Sequence, residues 1–153
     1  MNIKNVVKKV GLEDPFPYGY KYVVFPELIK NSKLLFFRKK LCYSNTFIIF
    51  KQYSFVNQII NGQQCKRSFS IEMMRNEEEY PNFDFSIQNL NKESFIYISL
   101  SYFLWTIKNE RLYNGPYHVW EYLEESELSL ALHDAFSATI KYGLPWLENP
   151  KSK

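Results

Sequence analysis

The sequence predicts an α+β domain in which an antiparallel sheet of about four to six strands is covered on one face by an N-terminal and a C-terminal helix. Three observations support this prediction: helical periodicity near each end of the chain, strand-like runs between those ends, and an Asn61-Gly62 dipeptide typical of a tight hairpin turn. The chain has 153 residues, the usual length of one domain, so we expect residues 1–153 to form a single unit.

The first element is a short amphipathic helix. Apolar side chains between Ile3 and Val10 recur at helical spacing, and Gly11 follows at the place where a left-handed cap ends many helices. Two prolines and a glycine in residues 14–19 then predict a loop. Residues 20–25 read as a strand, and residues 26–30 read as one helical turn that begins at a proline.

The middle of the chain supplies the sheet. Residues 33–43 predict a strand with a cationic end, and residues 46–60 and 63–74 predict an antiparallel hairpin around Asn61-Gly62. Alternation over residues 68–73 predicts one buried face, with the other turned to water or to a further layer. Residues 83–87 predict a short strand, and period-two alternation over residues 94–107 predicts a central strand.

The C-terminal part of the chain is predicted to be helical. Residues 117–123 fit a strand or a helix equally well, and their period does not decide between the two. An apolar stripe from Leu128 to Ile140 predicts a helix that Ser126 caps and that Gly143 ends. We expect Pro145 to prevent the helix from resuming, and Trp146 and Leu147 to fold back onto the core.

A tryptophan before the last helix, Trp120, and the closing stretch Tyr142-Gly143-Leu144-Pro145-Trp146-Leu147 resemble a family of small bacterial domains of unknown function. The resemblance covers mainly the C-terminal part of the chain and follows the hairpin only in outline. It implies an N-terminal helix, an antiparallel sheet and a final helix, together with a bacterial cytoplasmic origin. It implies no catalytic residues, because that family brings none.

Composition excludes several classes of protein. Hydrophobic residues make up 46% and charged residues 23% of the chain, which is ordinary globular usage and excludes a disordered chain. Two isolated cysteines, Cys42 and Cys65, predict free thiols, and the N-terminus lacks the pattern of a signal peptide. The longest apolar run, residues 95–107, is too short for a membrane span. We therefore expect a cytoplasmic protein without a membrane segment.

Residues able to carry chemistry are few. His118 lies near a turn and His133 lies within the last predicted helix, and neither shows the spacing of a zinc site or of a catalytic pair. Cys42 follows a cationic run that lowers a thiol pKa in reactive sites, but an inert cysteine is the more common outcome. The glycines are scattered, and residues 77–79 read as a solvated acidic tip. No catalytic residue, cofactor or metal is therefore predicted.

The best binding candidate is a cationic surface. Residues 1–70 carry a net charge of +9 and residues 71–153 a net charge of −6, so the two parts of the chain attract each other. In the basic part, aromatic residues lie among clustered cations, a combination that suits nucleic acid, although lysines also guard sheet edges against self-association. The candidate surface consists of Lys33, Arg38, Lys39, Lys40, Lys66 and Arg67.

Three hypotheses for function follow. The preferred one is a non-enzymatic protein-interaction domain, of the immunity or accessory type encoded near bacterial toxins, because the fold is well patterned and a catalytic set is missing from the sequence. The second is a nucleic-acid-binding domain that uses the basic N-terminal half. The third is an enzyme with an unrecognised site around His118, Cys42 or the open face of the sheet.

Overall fold

A computed structural model describes residues 2–13, 18–25, 34–53, 59–60, 63–64, 66–81, 95–113 and 115–149. The helices are α1 (Ile3–Glu13), α2 (Leu100–Tyr102), α3 (Glu125–Ala138) and α4 (Leu144–Leu147), with π-helical turns at Phe103–Ile107 and Thr139–Gly143. The strands are β1 (Lys21–Val23), β2 (Leu34–Lys40), β3 (Asn45–Tyr53), β4 (Ile59–Ile60), β5 (Gln63–Gln64), β6 (Arg67–Asn76), β7 (Ile96–Ser99) and β8 (Trp120–Tyr122). The predicted turn at residues 26–30 and the predicted strand at residues 83–87 lie outside the described residues.

The main sheet is antiparallel and has six strands in the order β1-β2-β3-β6, after which β7 and β8 both pair with β6. Strand β7 lies opposite Glu72–Arg75, and β8 lies opposite Arg67–Phe69. The predicted hairpin is confirmed, because β3 pairs with β6 along its whole length and the short strands β4 and β5 pair beyond it. The α+β class with an open antiparallel sheet is therefore as predicted.

The two terminal helical regions cover the same face of the sheet. Leu128, Leu132 and Phe136 of α3 are fully buried, as is Val7 of α1. The ring of Phe136 meets that of Phe37 edge to face at 5.8 Å between centroids, an arrangement that favours aromatic packing. This apolar face holds the main core, which confirms the predicted packing of the helices on the sheet.

The opposite face of the sheet is also buried. Phe36, Phe47, Ile49 and Met74 form a second apolar cluster, and the ring of Phe25 lies edge-on against Phe36. Serine and glutamate positions of β6 that alternate with the apolar ones are buried as well. The prediction left the second side of β6 open between water and a further layer, and the burial of these polar positions decides against water.

The predicted central strand at residues 94–107 is wrong beyond Ser99, and the strand that does form, β7, lies at an end of the strand order instead of in its centre. Strand β7 ends at Ser99 because the next part of the β6 edge is occupied by β8, so the chain has to leave the sheet. The Ser99 side chain accepts a hydrogen bond from the backbone N–H of Tyr102 at 3.2 Å and thereby caps α2. Residues 100–107 then turn helically and bury Leu100, Phe103 and Leu104.

Three predicted helix ends are also wrong. Helix α1 continues through Gly11 to Glu13, and α3 begins at Glu125 after Glu124, so Ser126 lies inside the helix instead of capping it. Gly143 does not end the last helix, because a π-helical turn leads directly into α4. The expectation that Pro145 prevents the helix from resuming is wrong as well, because Pro145 lies in the first turn of α4, where a backbone N–H is not needed.

The structure also tests the predictions for residues 117–123 and for the C-terminal pair Trp146 and Leu147. The ambiguous stretch at residues 117–123 contains the strand β8. Trp146 and Leu147 fold back onto the core as predicted, since Leu147 is fully buried and the ring of Trp146 lies 4.7 Å from that of Phe103.

Candidate functional site

The predicted cationic stretch lies at one end of β2, and its members face two sides of the sheet. The guanidinium of Arg38 donates to the backbone oxygen of Glu79 at 2.8 Å, and the Lys40 ammonium lies 3.0 Å from the carboxylate of the same residue. Lys39 points to the other side and pairs with Glu148 at 2.8 Å. The hydrogen bond and charge of Lys40, with the charge of Arg38, hold the pKa of Glu79 below its usual value.

Lys66 and Arg67 lie far from that stretch, near the opposite end of β6. Arg38 pairs with Phe47 of β3, which pairs with Met74 of β6. Arg67 lies seven residues from Met74 along β6, a distance of about 23 Å at ~3.3 Å per residue. Lys66 lies 4.0 Å from Glu127. Lys33 falls outside the described residues. The structure therefore does not bring the predicted cations together into one patch.

Ion pairs link the basic and acidic parts of the chain within the fold. All four ion pairs of the described residues join a lysine from the basic first part of the chain to a glutamate from the acidic second part. They are Lys39–Glu148, Lys40–Glu79, Lys51–Glu72 and Lys66–Glu127. Four cations of the basic part of the chain are therefore paired with carboxylates of the acidic part.

A buried carboxylate lies on the polar side of β6. Glu72 is only 7% exposed, accepts a hydrogen bond from the hydroxyl of Tyr97, and lies 3.7 Å from the ammonium of Lys51. Burial, together with the hydrogen bond to Glu72, raises the pKa of Tyr97. The group is thus a satisfied polar cluster inside the sheet layer, which fits a structural role.

His118 is half-buried among aromatic rings. It stacks on Tyr113 at 4.4 Å between centroids and meets Trp120 edge to face at 4.7 Å. Burial lowers the pKa of His118, and the nearby charges of Asp134 and Glu121 oppose that shift. Cys42 lies on the exposed turn between β2 and β3 as a free thiol, at the other end of the sheet. These two candidate groups are therefore not brought together.

A carboxylate that the sequence analysis did not single out lies beside His118. One oxygen of Asp134, on α3, accepts hydrogen bonds from the indole N–H of Trp120 at 2.9 Å and from the hydroxyl of Tyr113 at 3.0 Å. Burial and the Asp134 charge raise the pKa of Tyr113, so its hydroxyl stays protonated and donates. The one sequence signal was Trp120, whose N–H needs an acceptor when buried.

The most exposed aromatic groups of this region lie on the segment between β7 and β8. Tyr102 and Tyr117 are 40% and 80% exposed, and their rings lie 6.2 Å apart. The guanidinium of Arg111 lies 4.0 Å from the ring centroid of Trp105 and donates to the backbone oxygen of the same residue at 3.3 Å. With Ile107, which is 49% exposed, these side chains form what we term the aromatic surface.

Local contacts hold this surface in place. Asn109 adopts a left-handed conformation with φ of 58°, which lets the chain reverse after the π-helical turn, and the Glu110 N–H then donates to the oxygen of Leu104 at 2.7 Å. The buried hydroxyl of Ser101 donates to the oxygen of Pro116 at 3.0 Å. The loop that carries Tyr117 is therefore fixed on α2.

No protein-family model, curated protein or solved structure matches the chain. The resemblance of the closing stretch to a family of small bacterial domains thus stays a prediction. Within the described residues, no helix has both the length and the apolarity to cross a membrane, and no three potential ligand side chains are placed to hold a metal ion.

The chemistry offered by these groups is that of binding. The aromatic surface presents two tyrosines, a tryptophan and an arginine, and the neighbouring carboxylate of Asp134 is fixed by two donors. Rings and a guanidinium provide contact area and directed hydrogen bonds to a ligand. The aromatic surface could not be predicted because residues 94–107 fit a strand, and a strand there would have placed these rings differently.

Proposed function

We propose that this protein is a non-enzymatic protein-binding domain and that the aromatic surface is its contact surface. The observation that carries the proposal is the outward position of the Tyr102–Tyr117 ring pair, with the larger exposure at Tyr117. Large rings exposed on a well-packed domain place apolar area in water, and a partner that covers them recovers that free energy.

The residue types support a protein partner. Tyrosine, tryptophan and arginine are the residues most often found at the energetic centre of protein interfaces. The ring of Trp105 and its backbone oxygen hold the guanidinium of Arg111 in one orientation, so little side-chain freedom is lost when a partner binds. A pre-oriented guanidinium favours a carboxylate, which it contacts through two parallel hydrogen bonds.

The charges near the surface indicate the chemistry of the partner. Arg111 and Lys108 are exposed on the same loop, and neither forms an ion pair with another described residue. The partner we propose therefore presents an apolar contact area next to an Asp or Glu side chain. A role of the immunity or accessory type is the finer form of this proposal, and it rests on a well-patterned fold whose sequence lacks a catalytic set.

The test is affinity capture with matched tyrosine variants. The proteins captured by the immobilised native protein are compared with those captured by Tyr117→Ser and by the control Tyr43→Ser. Tyr43 is a suitable control because it is 92% exposed but lies outside the aromatic surface, on the turn between β2 and β3. We expect a stoichiometric partner that the native protein and the Tyr43→Ser control retain and that the Tyr117→Ser variant loses. Titration of the purified partner should then show binding at least about tenfold weaker for Tyr117→Ser, the usual loss at an interface centre.

Two results would contradict the proposal. One is equal capture by the native protein and by Tyr117→Ser, provided that circular dichroism shows both to be folded. The other is a captured species that high salt and nuclease treatment remove from all three proteins alike, which would indicate nucleic acid bound elsewhere.

A further inference from the structure

An open groove of about 280 Å³ lies next to the fixed carboxylate of Asp134. Leu112 and Tyr113 contribute one side, and Asp134, Ala138, Lys141 and Tyr142 of the last helical region contribute the other. This volume lies just below the range for small-molecule sites, about 300–1,000 Å³. The groove therefore suits a ligand smaller than a nucleotide cofactor.

The lining of the groove carries charges of both signs, separated along the last helical region. Asp134 and Lys141 both line the groove and are seven residues apart, about two helical turns, which places their backbones about 10 Å apart along the axis at ~1.5 Å per residue. Between them the helix presents Ala138, whose short side chain leaves room, and Tyr113 and Tyr142 flank the groove. A matching ligand is elongated, with a cation at one end, an anion at the other and an apolar middle.

Both charged groups are positioned by ring contacts. Trp120 and Tyr113 donate to the same oxygen of Asp134, which fixes the carboxylate and leaves its second oxygen outside these two hydrogen bonds. The ammonium of Lys141 lies 5.1 Å from the ring centroid of Tyr142. Groups held in place before binding lose less entropy when a ligand arrives.

We propose that this groove binds a zwitterionic peptide of about three residues, because an extended chain of that length spans ~10 Å. Its ammonium end contacts Asp134, its carboxylate end contacts Lys141, and the central side chain packs between the two tyrosines. The site does not depend on the aromatic surface, so either proposal can fail while the other stands.

The experiment uses the tripeptide Gly-Phe-Gly with free ends as the probe, added to the full chain labelled with ¹⁵N. The protein contains three tryptophans, and the indole N–H of Trp120 reports directly on Asp134. We expect its signal and the amide signal of Ala138 to shift along a saturable curve, with a dissociation constant of about 1 mM. Acetylation of the amino end, or amidation of the carboxyl end, should weaken binding by about fivefold each, the value of an exposed ion pair.

Variants assign each charge to its end of the peptide. Asp134→Asn keeps an acceptor for both donors but removes the charge. It should therefore lower the affinity for the peptide with free ends by about fivefold and leave the affinity for the acetylated peptide unchanged. Lys141→Gln should likewise lower the affinity for the peptide with free ends by about fivefold and leave the affinity for the amidated peptide unchanged. Lys9→Gln, on the exposed side of α1, is the matched control and should bind like the native protein.

Three results would overturn the proposal. The first is the absence of saturable shifts up to about 10 mM peptide, a concentration that would detect any site of relevant strength. The second is equal binding of the free, acetylated and amidated peptides, which would show that the charged ends of the peptide do not contribute to binding. The third is a set of shifted signals that excludes Trp120 and residues 134–142.

Discussion

Replacement of Gly143 by alanine tests the close approach of the last helical region to the sheet. An alanine Cβ at this position would lie 2.6 Å from the sulfur of Met73 and 3.5 Å from a methyl carbon of Leu100. Met73 is fully buried in β6, so its side chain has little space into which to move. The backbone at Gly143 is helical, with φ of −78°, so the effect comes from packing and not from backbone strain.

Two opposing effects set the magnitude. Alanine favours a helix over glycine by about 1 kcal/mol, whereas overfilling a packed core costs about 1–3 kcal/mol. Because the 2.6 Å approach to the Met73 sulfur is well inside contact distance, we take the upper part of that cost, about 2–3 kcal/mol, and expect a net loss of about 1–2 kcal/mol in the free energy of unfolding. For a chain of this size that corresponds to a fall in Tm of about 2–8 °C.

The assay is urea and thermal unfolding of Gly143→Ala beside the control Gly115→Ala. A Cβ at Gly115 would have no heavy atom within 4 Å, so the control should stay within about 0.5 kcal/mol of the native protein. In a Met73→Ala background the Gly143→Ala substitution should be neutral or stabilising, because the obstructing sulfur is gone. A Gly143→Ala variant as stable as the native protein would refute the reasoning.

Three further predictions concern buried polar groups. Arg75→Met should lower the free energy of unfolding by about 2–4 kcal/mol in urea titrations and expose the C-terminus to proteases, because the guanidinium donates to the oxygen of Leu147 at 2.8 Å from a buried position. Tyr20→Phe should cost about 1 kcal/mol in the same assay, since the hydroxyl lies 2.9 Å from that of Thr46. Burial lowers the folded-state pKa of His118, so its contribution to stability is complete above the unfolded value of about 6.5 and is lost as the pH falls through the folded value. His118→Gln should therefore lose less stability than the native protein between about pH 7 and pH 5.

Much of the sheet and both terminal helical regions could be predicted because their signals are local. The Asn61-Gly62 dipeptide predicts a hairpin between the runs that pair as β3 and β6, and the stripe through Leu128, Leu132 and Phe136 identifies the buried side of α3. Each of these features is encoded within one continuous stretch of fewer than thirty residues. In those stretches the residue pattern does not support another type of secondary structure equally well.

The predicted strand at residues 94–107 failed because two periods fit the same residues. Ile96, Ile98 and Leu100 alternate as in a strand, while Leu100, Phe103 and Leu104 follow helical spacing. The decision is made by tertiary structure, since β8 takes the place on β6 that a longer β7 would need. Sequence reasoning had no means of seeing that competition.

The candidate sites were missed for a related reason. Whether Tyr117 faces solvent depends on the loop that Ser101 anchors, and the position of Asp134 matters only because Trp120 and Tyr113 reach it from other elements. Sequence does not reveal such long-range contacts. The predicted cations were visible as a cluster in sequence, but the strand register separates them.

Hydrogen–deuterium exchange of the purified complex tests the proposed contact surface most directly. We expect slower exchange on partner binding at residues 100–113 and 115–118, with unchanged exchange at the turn between β2 and β3. Protection confined to β1, to that turn or to α1, with residues 100–118 unaffected, would contradict the assignment of the aromatic surface as the binding site.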